Sequence, residues 1–154
     1  MTPEERQLLI KDLCARLPYR VKGLHRGQVH IIANMDGGSL YPSIQVNGYC
    51  AWFPVETFKP YLRPLSSMTE EEKKELERLI DEKLNRNTDQ EDDEWTPWVL
   101  YDTTGIKNYI GGESFYFDEM GFIYDWLNAH HFDYRGLIPM GLALEAPEGM
   151  YEAE

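Results

Sequence analysis

The four histidines are the first residues in which to look for catalysis or metal binding. His130 and His131 are neighbours in the chain, so on a helix their side chains diverge by about 100° and cannot both face one metal ion. No histidine falls in an HExxH, zinc-finger or EF-hand pattern. The spacing therefore predicts no metal site. We expect His131 to cap a helix end and to belong to a ligand-binding set, and His130 to be exposed or hydrogen-bonded.

Patterns for nucleophilic and cofactor chemistry are also missing from the sequence. It contains no GxSxG turn, Walker loop or GxGxxG motif. Gly37-Gly38 and Gly111-Gly112 are isolated pairs, which are typical of turns. Most carboxylates sit in charged runs, which usually face solvent. We therefore expect a protein without enzymatic activity and without a cofactor.

The tract from residue 59 to residue 67 is the best candidate for ligand recognition. It places two cations, an aromatic ring and two hydroxyl groups before a predicted helix: Lys59, Tyr61, Arg63, Ser66 and Ser67. The free amides and partial positive charge of a helix N-terminus attract anions. The glutamates at 70–72 oppose an anion there, so the alternative is a proline-stiffened connector that only packs.

Tyr134 and Arg135 form a second candidate site. An arginine offers a two-pronged donor to phosphate, and a tyrosine offers a stacking face. Together with Trp126 they suit a nucleotide base and its phosphate. The alternative is a salt bridge from Arg135 to Asp133 or Asp125, with the aromatic rings in the core.

The formal net charge of −12 is divided unevenly along the chain. Residues 1–64 hold eight Lys and Arg against five Asp and Glu, or +3, whereas residues 65–154 hold seven against twenty-two, or −15. The second half repels polyanions, so we expect no non-specific nucleic-acid binding. A basic pocket for a small phosphate-bearing ligand stays compatible with the first half. The acidic half suits plain solubility or contact with a basic protein.

Cysteine use and hydropathy favour a cytoplasmic location. Cys14 and Cys50 lie outside any CxxC pattern, and we expect them to be buried thiols in a reducing compartment. The N-terminus lacks a basic segment followed by an apolar run. No window approaches the roughly 18 apolar residues of a membrane span, so we expect no membrane contact.

Two tracts carry a resemblance to a family. FKPYLRPLSSMTEEEKKEL, residues 58–76, and YDWLNAHHFDYRGLIPMGLALEAPEGMY, residues 124–151, resemble small uncharacterised proteins from phages and other mobile elements of gut Bacteroidetes. The resemblance implies an accessory or counter-defence factor that binds a host molecule stoichiometrically. It brings no catalytic chemistry with it.

These observations lead to one functional hypothesis and two alternatives. We expect a non-enzymatic binding protein that sequesters a small anionic nucleotide signal or blocks a host defence protein. One alternative is an acidic inhibitor that imitates nucleic acid and binds a basic protein. The other is an enzyme of unfamiliar type that depends on His131 or Arg135.

Local patterns predict where the first two helices begin. Thr2 and Glu5 form a capping box before a helix over residues 3–17, and Thr69 and Glu72 repeat the box before a second, acidic helix.

Between the helices the pattern predicts a meander of about four antiparallel strands. Tyr19–Leu24 and Gln28–Ala33 form one hairpin. Ser43–Val46 and Tyr49–Trp52 form the other across Asn47-Gly48, the favoured dipeptide of a two-residue type I′ turn.

The rest of the chain predicts a further strand pair and two helices. Residues 95–101 and 106–110 should pair and extend the sheet. A third helix should end near Ala129, and Asp133 should cap a last short helix that Gly141 ends.

The whole is a predicted single α+β domain over residues 1–154. It has an antiparallel sheet of about five strands, with the first and the C-terminal helices on one face. Residues 87–94 should form a mobile acidic loop and residues 152–154 a disordered tail. Leu142–Leu144 should return as an extended edge, which also suits a homo-oligomer.

Overall fold

The computed structural model describes residues 1–38, 41–83, 97–102, 105–110, 113–114 and 117–151. The helices in these ranges are α1 (Pro3–Arg16), α2 (Glu70–Lys83) and α3 (Phe117–Ala129). The strands are β1 (Lys22–His25), β2 (Gln28–Asp36), β3 (Ser43–Val46), β4 (Phe53–Pro54), β5 (Phe58–Leu62), β6 (Pro97–Asp102), β7 (Gly105–Ile110), β8 (Glu113–Ser114) and β9 (Leu144–Glu145). The α+β class is confirmed. The predicted acidic loop, the predicted tail and Gly111-Gly112 lie outside the described residues.

Six strands form a mixed sheet in the order β4-β3-β2-β1-β5-β9. The predicted meander is the run from β1 to β4, in which neighbouring strands are antiparallel. The prediction of about five antiparallel strands needs correction, because β5 and β9 join the same sheet. β5 comes from the predicted connector and pairs with β1, and β9 lies parallel to β5.

The type I′ turn lies in the first hairpin and not in the second. Arg26 and Gly27 have φ of 51° and 79° and connect the paired residues His25 and Gln28, as a two-residue type I′ turn requires. Gly48 has a φ of 91°, but Asn47 is not among the residues with positive φ. The predicted tight hairpin at Asn47-Gly48 is therefore wrong: β3 ends at Val46, and its partner β4 begins only at Phe53.

The start of β1, the sheet that contains β6 and β7, and the chain after Asp133 also differ from the predictions. Residues 17–19 continue α1 as a 3₁₀ turn, and Arg20 then has a φ of 58°, so β1 begins at Lys22 rather than Tyr19. The pair β6–β7 forms with β8 a separate three-stranded sheet instead of extending the first one. No helix follows Asp133, because its carboxylate accepts from the amides of Leu137 and Ile138 and closes a turn.

Both predicted capping boxes are present. At α1 the Thr2 hydroxyl accepts from the Glu5 amide, and the Glu5 carboxylate accepts from the Thr2 amide. The apolar stripe of α1 is buried against the meander and β5 in one core. The second core contains the buried face of α2, α3 and the chain after α3. Cys14 and Cys50 are exposed, which corrects the expectation of buried thiols.

Candidate functional site

A cleft of about 790 Å³ lies where β5, α2, α3 and the C-terminus of the described chain meet. The connection from β5 to α2 contributes Arg63, Ser67 and Thr69, and the first turn of α2 contributes Glu72. Residues 129–131 contribute the end of α3, and residues 145–151, which we call the strap, line another side. The volume lies within the range of roughly 300–1,000 Å³ that small-molecule sites occupy.

Backbone hydrogen bonds join these segments at Arg63. The Arg63 amide donates to the carbonyl of His131, and the Asp133 amide donates to the carbonyl of Arg63, both at 2.8 Å. On the other side of β5, the Ala146 amide donates to the carbonyl of Leu62 at 2.8 Å. Arg63 is therefore fixed between the chain after α3 and the strap.

The Arg63 side chain forms a two-pronged ion pair with Glu72. Its Nη1 and Nη2 donate to Oε2 and Oε1 of the carboxylate at 2.8 and 2.7 Å. The guanidinium carbon lies 4.2 Å from the centroid of the Phe132 ring. Two parallel bonds make the guanidinium and the carboxylate nearly coplanar, so Arg63 and Glu72 form a flat pair, with Phe132 stacked on the guanidinium.

The capping box of α2 fixes the Glu72 end of this pair. The Thr69 amide donates to Glu72 Oε1, and the Glu72 amide donates to the Thr69 hydroxyl. Partial burial raises the pKa of Glu72, but the hydrogen bonds from Arg63 and Thr69 outweigh this effect and lower the pKa from 4.5 to about 2. Glu72 is therefore ionised at neutral pH and neutralises the charge of Arg63.

His131 ends α3 in a backbone conformation that usually requires glycine. Its φ is 63°, its amide donates to the carbonyl of Asn128, and the Phe132 amide donates to the carbonyl of Leu127. These are the two hydrogen bonds of a Schellman motif, in which glycine is the usual residue at the position of His131. The buried imidazole stacks on the ring of Tyr151, with centroids 3.6 Å apart.

Tyr151 attaches the strap to the sheet. Its hydroxyl donates to the carbonyl of Tyr61 at 2.7 Å and accepts from the amide of Lys22 at 3.0 Å. The β1–β5 pairing extends only to Gly23 and Pro60, so the hydroxyl connects the next two residues beyond the ladder. The Lys22 ammonium donates to the carbonyl of Met150 at 2.9 Å.

His130 lines the cleft and also packs against Trp126 and Phe132 of the second core. Its ring stacks on Trp126, with centroids 4.0 Å apart, and its Nδ1 lies 2.8 Å from the Trp126 carbonyl oxygen. His130 is therefore hydrogen-bonded, one of the two states expected for it. His131 caps α3 through its backbone amide.

A largely buried ionic network joins α1 to the residues that follow α3. Asp12 and Arg16 are fully buried on α1, and Arg16 Nε donates to Asp12 Oδ2 at 2.8 Å. Arg135 Nη1 donates to the other oxygen of Asp12 at 2.8 Å. Arg16 Nη2 donates to the carbonyl of Phe132. This network fixes α1 against residues 132–135 and so helps to position Phe132 beneath Arg63.

Three of the nine predicted ligand-binding residues line the cleft: Arg63, Ser67 and His131. Lys59 and Ser66 are exposed outside its lining, and Tyr61 contributes only a backbone carbonyl to the strap contact.

The second candidate site of the sequence analysis is not part of the cleft. Trp126 and Tyr134 are buried in the second core. Burial raises the pKa of the Tyr134 hydroxyl. Arg135 pairs with Asp12 instead of lining the cleft, and the salt bridge considered as the alternative, to Asp133 or Asp125, is replaced by this one.

The sequence interpretation missed Asp12, Glu72 as the partner of Arg63, and the strap. One local signal was available for Asp12: it lies four residues before Arg16 beside the apolar stripe of α1. No local signal indicates that Tyr151 reaches Lys22, because 129 positions separate them.

Among the described residues, no group of three or more histidines, cysteines and acids is arranged to hold a metal ion. None of the helices in the described ranges is long and apolar enough to cross a membrane. No protein-family model, no curated protein and no solved structure matches the chain.

Proposed function

We propose that the protein is a non-enzymatic binding protein that captures a small nucleotide-like ligand in the cleft. The observation that carries this proposal is the flat Arg63–Glu72 pair, which rests on Phe132 and lines a cleft of about 790 Å³. The resemblance of residues 58–76 and 124–151 to mobile-element proteins supports an accessory or counter-defence role. Both tracts contribute residues to the cleft.

The hydrogen bonds of the Ser67 and Thr69 hydroxyls support capture without turnover. The Ser67 hydroxyl donates to the carbonyl of Pro64 at 2.7 Å, and the Thr69 hydroxyl accepts from the Glu72 amide. Neither hydrogen bond connects a hydroxyl to a general base, which an activated nucleophile requires.

Calorimetric titration with a panel of nucleosides, nucleotides and cyclic nucleotides tests the proposal, followed by chromatography of the recovered ligand. We expect saturable binding of at least one compound, which is recovered unchanged. Arg63→Ala should abolish this binding. The matched variant Arg78→Ala, which removes an exposed arginine of α2 outside the cleft, should bind normally. Recovery of an altered ligand, or equal effects of both variants, contradicts the proposal.

A second candidate function is the blocking of a basic partner protein. Glu145 and Glu148 are exposed on the strap, and Glu70 and Glu71 are exposed in the first turn of α2. Such a surface steers basic proteins by charge. A purified partner should then bind more weakly at high salt. Glu148→Gln and Glu71→Gln should each weaken binding, whereas binding that salt does not change rules this function out.

A further inference from the structure

We infer that the cleft recognises the flat face of a nitrogen heterocycle, such as a nucleobase, and that it disfavours the phosphate groups of a nucleotide. This inference rests on the proposed function and specifies which part of the ligand is bound. It reverses the sequence-based expectation that Arg63 serves as an anion-binding residue.

The geometry of Arg63 provides a stacking surface. One face of its guanidinium is covered by the Phe132 ring at 4.2 Å. Arg63 lines the cleft but Phe132 does not, so the face that remains for a ligand is the one opposite Phe132. Planar bases stack on arginine guanidinium groups as they do on aromatic rings. A ring placed there continues the stack of Phe132 and Arg63.

The same contacts leave Arg63 poorly suited to phosphate. Nη1 and Nη2 both donate to Glu72, and Nη2 also lies 3.4 Å from the carbonyl of Ser67. A phosphate that approaches Nη1 or Nη2 must therefore compete with an ionised carboxylate that is already bound through two hydrogen bonds. Stacking makes no such demand, because the donors lie in the guanidinium plane and the ligand contacts its face.

The remaining charges of the cleft lining also disfavour phosphate groups. Glu145 and Glu148 carry carboxylates on the strap. Apart from the histidines, the ionic residues in the described part of the lining are these two, Arg63 and Glu72. Since Arg63 and Glu72 neutralise each other, the formal charge left is negative, and it repels a triphosphate. Exocyclic amino groups and ring N–H groups of a base are donors, for which carboxylates are suitable acceptors.

Titration with adenosine, AMP, ATP and ribose 5-phosphate tests this inference, with guanosine, cytidine and uridine as further nucleosides. We expect at least one nucleoside to bind, ribose 5-phosphate not to bind, and the affinity to fall by about tenfold or more from nucleoside to triphosphate for the same base. Tighter binding of ATP than of adenosine, together with binding of ribose 5-phosphate, overturns the inference but leaves nucleotide capture intact. Absence of binding by every compound overturns both proposals.

Two pairs of variants distinguish the effect of the flat Arg63 guanidinium from the effect of the negative charge on the strap. Arg63→Lys keeps the positive charge but removes the flat face, so it should weaken nucleoside binding by about tenfold, whereas Arg78→Lys should not. Glu148→Gln should strengthen ATP binding, whereas Glu71→Gln, with the same change in net charge outside the lining, should change it less. The second pair lies at exposed positions and therefore tests the inference even if Arg63→Lys does not fold. Unchanged nucleoside binding by folded Arg63→Lys, or equal effects of the two glutamine variants, contradicts it.

Discussion

The left-handed backbone at His131 combines a local cost with a tertiary contact. A residue with a Cβ at this φ of 63° is less stable than glycine by roughly 1 kcal/mol. The imidazole offsets this cost through its stack on Tyr151. We infer that the side chain holds the strap beside the cleft.

Replacing His131 by alanine and by glycine separates the two effects. Both variants lose the stack on Tyr151, but only alanine keeps the unfavourable Cβ. We therefore expect His131→Gly to be more stable than His131→Ala by about 1 kcal/mol, measured by urea unfolding. A larger stability for the alanine variant contradicts the left-handed assignment.

Asp12 contacts both arginines of the network, the buried Arg16 and the partly buried Arg135. Its two oxygens accept from Arg16 and Arg135, and Arg16 is fully buried. Asp12→Ala leaves the two cations without their shared counter-ion, so we expect a loss of about 3–5 kcal/mol in unfolding free energy. Asp125→Ala, at an exposed position of α3, is the control and should change it by less than about 0.5 kcal/mol. A loss below about 1 kcal/mol for Asp12→Ala contradicts the network.

At the scale of elements, β1 and β5 approach each other closely at Gly23. A Cβ built there would lie 2.2 Å from Phe58 Cζ and 2.7 Å from the Lys59 carbonyl oxygen. Phe58 is fully buried, so its ring has little room to move. Gly23→Ala should destabilise the protein by about 1–3 kcal/mol in thermal or urea unfolding. Gly38→Ala, where a Cβ meets nothing within 4 Å, should not destabilise it.

The strap should loosen when its attachment to the sheet is weakened. Tyr151→Phe keeps the ring stacked on His131 but removes the hydroxyl that contacts Lys22 and Tyr61. We expect a loss of about 1–2 kcal/mol and faster amide hydrogen exchange at Ala146 and Met150, whose amides bond within and beside the strap. Exchange that speeds up equally throughout α1 indicates global rather than local opening.

Local patterns in the sequence were sufficient to predict the elements that local interactions form. The capping boxes at Thr2 and Thr69 fix helix starts through hydrogen bonds between residues three positions apart. The turn dipeptide Asn47-Gly48 was misleading, because it permits a type I′ turn without requiring it. β5 was predicted as a connector, because Pro60 lies inside it and Pro64 follows it. No local feature indicates that β5 pairs with β1.

The candidate site was predicted only in part, because its key contacts join distant positions. Arg63, Ser67 and His131 were identified by residue type. The ion pair of Asp12 with Arg135 spans 123 positions. Arg135 and Tyr134 looked like ligand-binding residues because one sequence cannot distinguish a free arginine from one whose carboxylate lies far along the chain.

At the scale of the whole molecule, two titratable groups make stability depend on pH in separate windows. Burial, His30 and Arg26 lower the pKa of His25 below 6.5, although the hydrogen bond to the Thr57 carbonyl opposes this. As the pH falls below 6.5, His25 therefore binds a proton in the unfolded chain before it does so in the folded chain. The free energy of unfolding falls as a result. Glu72 acts in the more acidic window, since its pKa drops from 4.5 to about 2 on folding.

The two windows predict different responses of two variants. We expect the unfolding free energy of the wild type to fall from about pH 7 to about pH 5, and to fall again below about pH 4.5. His25→Gln should flatten the first decline and leave the second, whereas Glu72→Gln should flatten the second and leave the first, even if both variants are less stable overall. Urea unfolding across this pH range measures both slopes. In the folded protein Glu72 stays ionised until the pH approaches about 2, so ligand affinity should hold while stability declines below about pH 4.5. It should fall only where Glu72 is protonated and can no longer hold Arg63 flat against Phe132. Glu72→Gln, which carries no charge at any pH, should therefore bind ligand more weakly than the wild type at about pH 7, and equal affinity of the two proteins contradicts the role of this pair in binding.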